Sequence, residues 1–175
     1  YGWTKDIPPL SEDNFTLENY KTLTEGFGVG GTLFMETGVD DADYQNETHF
    51  VHSLTKDSNS GLNGIIASIR PESDEGFETW LNETIEMGVV GYRRILHVMP
   101  DDTSQSNTFI NNVNKIGKLG KPFDICYLPT QLSIALDFAR ACENTKLVLN
   151  HCGVPSISEN ALDPWRADME ALSKM

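Results

Sequence analysis

The sequence predicts an α/β fold: a parallel sheet of five strands with helices packed against it. Three observations carry that prediction. From residue 31 onward, short apolar runs alternate five times with stretches whose apolar residues recur at helical spacing. The runs are nearly continuous, as in LVLNHCG at 147–153, and parallel strands buried on both faces read that way. The conspicuous polar residues fall at the C-terminal ends of these runs, where parallel sheets bind ligands.

Composition narrows the class. The chain has 175 residues, enough for one domain with a real core. A closed barrel of eight βα units takes ~250 residues, so five units make an incomplete one. Net charge is −13, with 13 Lys and Arg against 26 Asp and Glu, which argues against nucleic acid and anionic membrane as partners. No apolar run reaches the ~20 residues of a membrane span, and no signal-peptide pattern opens the chain. Cys126, Cys142 and Cys152 form no C-x-x-C pair and read as free thiols of a reducing compartment, which points to the cytoplasm.

Residues 1–20 carry two adjacent prolines and no periodicity, and read as an extended lead-in. The GFGVGG that follows matches G-x-G-x-x-G at Gly26, Gly28 and Gly31. It precedes an apolar run instead of opening a helix, so it reads as a turn and not as a dinucleotide loop. Strands are predicted at 31–37, 62–69, 89–98, 122–128 and 146–150. Helices are predicted at 41–57, 74–87, 104–117, 131–142 and 163–174. Their inward residues are Tyr44, Val51 and Leu54; Phe77, Trp80, Leu81 and Ile85; Phe109, Ile110, Val113 and Ile116; Leu132, Ala135, Leu136 and Ala139; and Trp165, Met169 and Leu172. The last helix has Asp163 as its expected N-cap and Pro164 at its first position.

Polar groups then fall into register. Glu36 ends the first strand, His97 the third, Tyr127 with Gln131 the fourth, and His151 the fifth. In the third strand, alternation puts Gly91, Arg93, Ile95 and His97 on one face and Val90, Tyr92, Leu96 and Val98 on the other. The apolar set should meet the helices, leaving Arg93 and His97 on the inner face. A buried arginine there needs an anion, either Glu36 or a substrate.

The segments VVGYRRILHVMPDD (89–102), FDICYLPTQL (123–132), LVLNHCGVPSI (147–157) and DPWRADMEAL (163–172) resemble the amidohydrolase-related group of metal-dependent hydrolases. They are most similar to its branch of sugar lactonases and 2-pyrone-4,6-dicarboxylate lactonase. The similarity runs from about Trp3 to the end, and NHCG and GYRRIL are its most specific parts. It implies a (β/α)8 barrel hydrolysing C–O or C–N bonds in small carboxylated or sugar-derived substrates. The family's strand-six histidine falls on His151, its strand-two acidic residue on Glu36, its strand-four arginine on Arg93, and its polar residue after strand five on Gln131. The resemblance thus implies His151, Arg93 and Glu36 as catalytic residues. His151 and Glu36 are the candidate ligands of a divalent metal, zinc first. His97, Gln131 and Tyr127 are the candidate substrate contacts.

The family's first-strand H-x-H pair and eighth-strand aspartate have no counterpart here. His49 and His52 are spaced H-x-x-H on the first predicted helix and read as surface or packing residues. By count the five strands correspond to strands 2 to 6, so the sequence reads as a portion of a larger protein. The expected partners are a small-molecule substrate and either a second copy or the missing barrel segment. Two further readings stay open: a barrel piece without catalysis that binds or assembles, and a complete doubly wound sheet binding a small acid or nucleotide. Neighbour order and direction of the strands separate the last from a barrel.

Overall fold

A computed structural model describes residues 1–157 and 162–175. The lead-in is helical where an extended segment was expected: a 3₁₀ turn at Gly2–Thr4, then α1 (Pro8–Ser11) and α2 (Leu17–Thr24). Helix α2 starts at a reciprocal cap, in which Asn19 N donates to Thr16 Oγ1 and Thr16 N donates to Asn19 Oδ1. That local cap outweighs the lack of apolar periodicity. Gly26 and Gly28 then take φ of 81° and 71°, which makes GFGVGG a turn into the sheet.

Five strands follow: β1 (Thr32–Met35), β2 (Leu62–Ser68), β3 (Gly91–Ile95), β4 (Phe123–Cys126) and β5 (Leu147–Leu149). They lie in the order β1-β2-β3-β4-β5, every pair parallel. Unbroken order with no reversal is the arrangement of a barrel wall, not of a doubly wound sheet. Each strand is shorter than its apolar run, and β3 is trimmed at both ends. At β3 both Leu96 N and His97 N donate to Cys126 O, at 3.2 and 2.9 Å, which closes the ladder there. Val98, expected against the helices, is consequently 71% exposed.

The outer face of the sheet carries α3 (Tyr44–Thr55), α4 (Phe77–Glu86), α5 (Asn107–Lys118), α6 (Leu132–Ala141) and α7 (Leu162–Leu172). Ile65, Ala67, Ile69, Tyr92, Phe123 and Ile125 of the sheet are buried against Val51, Trp80, Phe109, Val113, Ile116 and Phe138. Phe109 meets Phe123 and Phe138 edge-on, with centroids 6.0 and 5.6 Å away. On α4 the buried position is Thr84, not Ile85. Its hydroxyl bonds Trp80 O, Leu81 O and Tyr92 OH, which lets a polar side chain take the inward slot. Helix α7 begins at Leu162, so Asp163 and Pro164 lie inside its first turn instead of capping it.

Candidate active site

Parallel register decides which side chains share the inner face. Ser68 pairs with Arg93, Arg93 with Asp124, and Asp124 with Val148; one step on, Ile95 pairs with Cys126. Paired residues of parallel strands point the same way, so Arg93, Asp124 and Cys126 stand on one face.

On that face four side chains form a continuous polar chain. Arg93 Nε donates to Glu36 Oε1 at 2.6 Å, and Nη2 donates to the Glu36 carbonyl. Arg93 Nη1 donates to Asn150 Oδ1 at 3.2 Å, and Asn150 Nδ2 donates to Asp124 Oδ2 at 2.8 Å. Gly38 N donates to Glu36 Oε2 at 2.8 Å, which fixes the other carboxylate oxygen. Glu36 and Asp124 are each 2% exposed and Arg93 is 8% exposed, so the charges are withdrawn from water and hold one another. Burial raises the pKa of Asp124 above its ordinary value, opposed by the Asn150 hydrogen bond and by Arg93. Glu47 of α3 is also buried. It accepts from Thr37 N and Oγ1, and burial raises its pKa against those bonds, with the charge of Glu36 adding to the rise.

Of the residues read from the sequence, Glu36 and Arg93 are brought into contact. His97 lies half-buried beside them, with Nδ1 3.1 Å from Cys126 Sγ; burial raises that thiol's pKa, while nearby Arg93 lowers it. Gln131 is engaged elsewhere: Nε2 donates to Asp101 Oδ1 at 2.7 Å, and Oε1 accepts from Leu128 N. Tyr127, expected as a substrate contact, belongs instead to the core between sheet and helices, since it shares the parity of Phe123 and Ile125. Its phenol pKa is pushed up by burial. His151 is exposed and has φ of 51°, with Cys152 at 52° and Val154 at 48°. Three non-glycine residues in the left-handed region form a strained turn directly after Asn150.

Asp124 and Cys126 lie within an apolar run and not past its end, and Asn150 stands beside the more conspicuous His151. Period two within FDIC separates Asp124 and Cys126 from Phe123 and Ile125, and that signal would have found two of the three. His49 packs edge-on against Trp80 and faces Glu83 at 3.3 Å, a packing role.

The family model described as Amidohydrolase matches residues 25–174. The chain belongs to the amidohydrolase family. No curated protein matches it significantly. Among solved structures, an amidohydrolase from Burkholderia multivorans with bound HEPES superposes with a TM-score of 0.86 at 18% identity, over 99% of this chain and 61% of that one. A second crystal form of an amidohydrolase from that organism, with bound zinc, gives 0.84 at 19% identity, over 99% of this chain and 61% of that one. A probable 2-pyrone-4,6-dicarboxylic acid hydrolase from Acinetobacter baumannii with bound citric acid gives 0.71 at 13% identity, over 90% of this chain and 55% of that one. The fold of this chain is therefore a partial (β/α) barrel of the amidohydrolase type, and the chain spans about 61% of the length of the first of these structures.

Among the described residues, no group of three or more His, Cys, Asp and Glu side chains gathers closely enough to hold a metal. Glu36 is taken up by Arg93 and Gly38, and the side chain of His151 makes no hydrogen bond or ion pair among the described residues. A zinc site needs three or four protein ligands. The expected Glu36 and His151 pair does not fit one by itself.

Proposed function

We propose that this chain contributes the catalytic βα units of a barrel hydrolase that opens a lactone, or a similar C–O or C–N bond, in a small carboxylated or sugar-derived substrate. One observation carries the reading. Glu36 and Asn150, which follow the C-terminal ends of β1 and β5, converge with Arg93 and Asp124 from the inner faces of β3 and β4, and the C-terminal ends of the strands are where barrel enzymes keep their chemistry. Family membership supports the hydrolytic class, and fold likeness to a probable 2-pyrone-4,6-dicarboxylic acid hydrolase supports a lactone.

In this reading Arg93 is the electrophilic group. A guanidinium has five N–H donors, and three are engaged, so two are left for the oxygen on which charge grows as water attacks. Glu36 and Asn150 orient it. Asp124, made more basic by burial, is suited to take a proton from water. His151, exposed on its strained turn, is the second group assigned to the carbonyl. His97 and Gln131 position the loops and the substrate around them.

The outer edges of β1 and β5 have no partner strand among the described residues, and Leu33 and Val148 on the inner face are 54% and 44% exposed. Further βα units, from the same polypeptide or a second copy, are the partner we assign to those edges. Any zinc would take most of its ligands from them. Three free cysteines support a reducing compartment such as the cytoplasm.

Steady-state hydrolysis of a panel of lactones by the protein carrying the complete barrel tests the proposal, with Arg93→Met and Asp124→Asn as variants. Each should lose on the order of 10² or more in kcat/KM while keeping its circular dichroism. No hydrolysis of any lactone, ester or amide, or variants as fast as the parent, would overturn it.

A further inference from the structure

A second charged group lies at the same end of the sheet, outside the chain of contacts around Arg93. Arg70, just beyond β2, donates from Nη2 and Nε to one oxygen of Asp41, at 2.7 and 3.1 Å. Arg94 of β3 approaches the same oxygen, with Nη1 at 3.7 Å. Two guanidiniums thus face a single carboxylate oxygen on the loop between β1 and α3.

Each arginine is held in place by other groups. Arg70 Nη1 donates to Ser68 Oγ at 2.7 Å and to Ile69 O at 3.2 Å, and its guanidinium lies 4.2 Å over the Tyr44 ring. Arg94 Nη2 donates to Glu72 Oε1 and to Met99 Sδ, and its buried Nε has no partner among the described residues. The side chains of Arg70 and Arg94 are 16% and 9% exposed, whereas that of Asp41 is 77% exposed. Burial and the neighbouring charge of Arg94 both work against the cation of Arg70, and Asp41 relieves this. The fixed partners are the cations; the exposed partner is the anion.

We propose that Arg70 and Arg94 form a carboxylate-binding subsite at the mouth of the sheet, and that Asp41 is its resident occupant, displaced when a carboxylate of the substrate arrives. Glu72 balances one arginine, so removal of Asp41 leaves one positive charge for an incoming anion. A planar carboxylate offers two oxygens where Asp41 uses one, and so can engage both forks at once. Arg93, for which the sequence allows either Glu36 or a substrate as its anion, has Glu36 as its partner, which leaves a substrate carboxylate to the second pair. Assigning the carboxylate to a substrate rests on the hydrolase reading; the binding itself does not.

The test is a titration of the full chain with malonate, followed through the arginine Nε–H signals of ¹⁵N-labelled protein, for the parent, Asp41→Asn and Arg70→Met. Asp41→Asn should bind malonate more tightly than the parent by about fivefold, the most that an exposed ion pair contributes. Arg70→Met, with its fold checked by circular dichroism, should abolish the shift at Arg94. Unchanged or weaker binding by Asp41→Asn would make Asp41 a loop staple and overturn the proposal, as would tighter binding of inorganic phosphate than of malonate. Malonate binding with no lactone hydrolysis would leave this subsite standing and remove only the proposed activity.

Discussion

Arg93 Nε lies 2.6 Å from Glu36 Oε1, a contact that ties residues 57 positions apart and joins the end of β1 to the middle of β3. Both side chains are nearly sealed from water, at 10% and 2% exposure. Neither can lose the other without leaving a buried charge. Glu36→Gln should therefore cost about 3–5 kcal/mol in urea unfolding, the usual penalty for orphaning one member of a buried pair. The double variant Glu36→Gln, Arg93→Met should recover most of that loss. A cost near zero for the single change would mean that water reaches the pair.

Burial of Asp124 and Glu47 should make stability fall as pH rises. For both, burial raises the folded-state pKa above the ordinary values of 3.8 and 4.5. Between the unfolded and the raised folded value the native state binds more protons, so the favourable contribution is complete below the unfolded pKa and is lost as pH rises through the folded one. Asp124→Asn should flatten that fall upward from pH about 4, where an unperturbed aspartate titrates. Urea midpoints measured for parent and variant across this range test it, and parallel curves would contradict the shift.

The thiols should separate by burial. Cys126 and Cys142 are 2% and 1% exposed, and burial pushes the Cys142 thiol up to about 12. Cys152 is exposed. A disulfide reagent at neutral pH should find one fast thiol in the native protein and three after denaturation. A second fast thiol in the native state would show that the core opens.

Tyr127→Phe should leave KM for any substrate unchanged, because the ring belongs to the core beneath the sheet and not to the inner face. A rise in KM of tenfold or more, about 1.4 kcal/mol of binding, would return Tyr127 to the site.

Much of this fold was legible because apolar runs and helical faces are written directly in residue order, and short crossovers leave parallel neighbours little choice of arrangement. What was harder to read has physical causes. Tyr127 looked functional by its place after a strand, yet two-residue alternation from Phe123 sends it to the helices. Arg94 has no local signal, since its neighbours on that face are apolar and Glu72 and Asp41, which make its burial tolerable, arrive from loops distant in sequence. Asn150 closes an apolar run, and nothing local announces its bonds to Arg93 and Asp124. The left-handed turn at His151 has no glycine to signal it.

That turn yields the sharpest separation of stability from function. His151 at φ 51° and Val154 at φ 48° hold a conformation that costs an L residue roughly 1–2 kcal/mol. Glycine adopts it freely, at the expense of about 0.4–1 kcal/mol in unfolded-chain entropy. Both positions are solvent-facing, with Val154 41% exposed, so little packing is lost on truncation. His151→Gly and Val154→Gly should each gain up to about 1 kcal/mol in thermal or urea unfolding. Their activities should diverge. If His151 polarises the carbonyl, His151→Gly loses roughly 10²–10³ in kcat, whereas Val154→Gly keeps most of it. Strain retained where its relief would stabilise the protein is a mark of function, so a stabilised and fully active His151→Gly would remove His151 from the catalytic set and leave Arg93 and Asp124 to carry the chemistry.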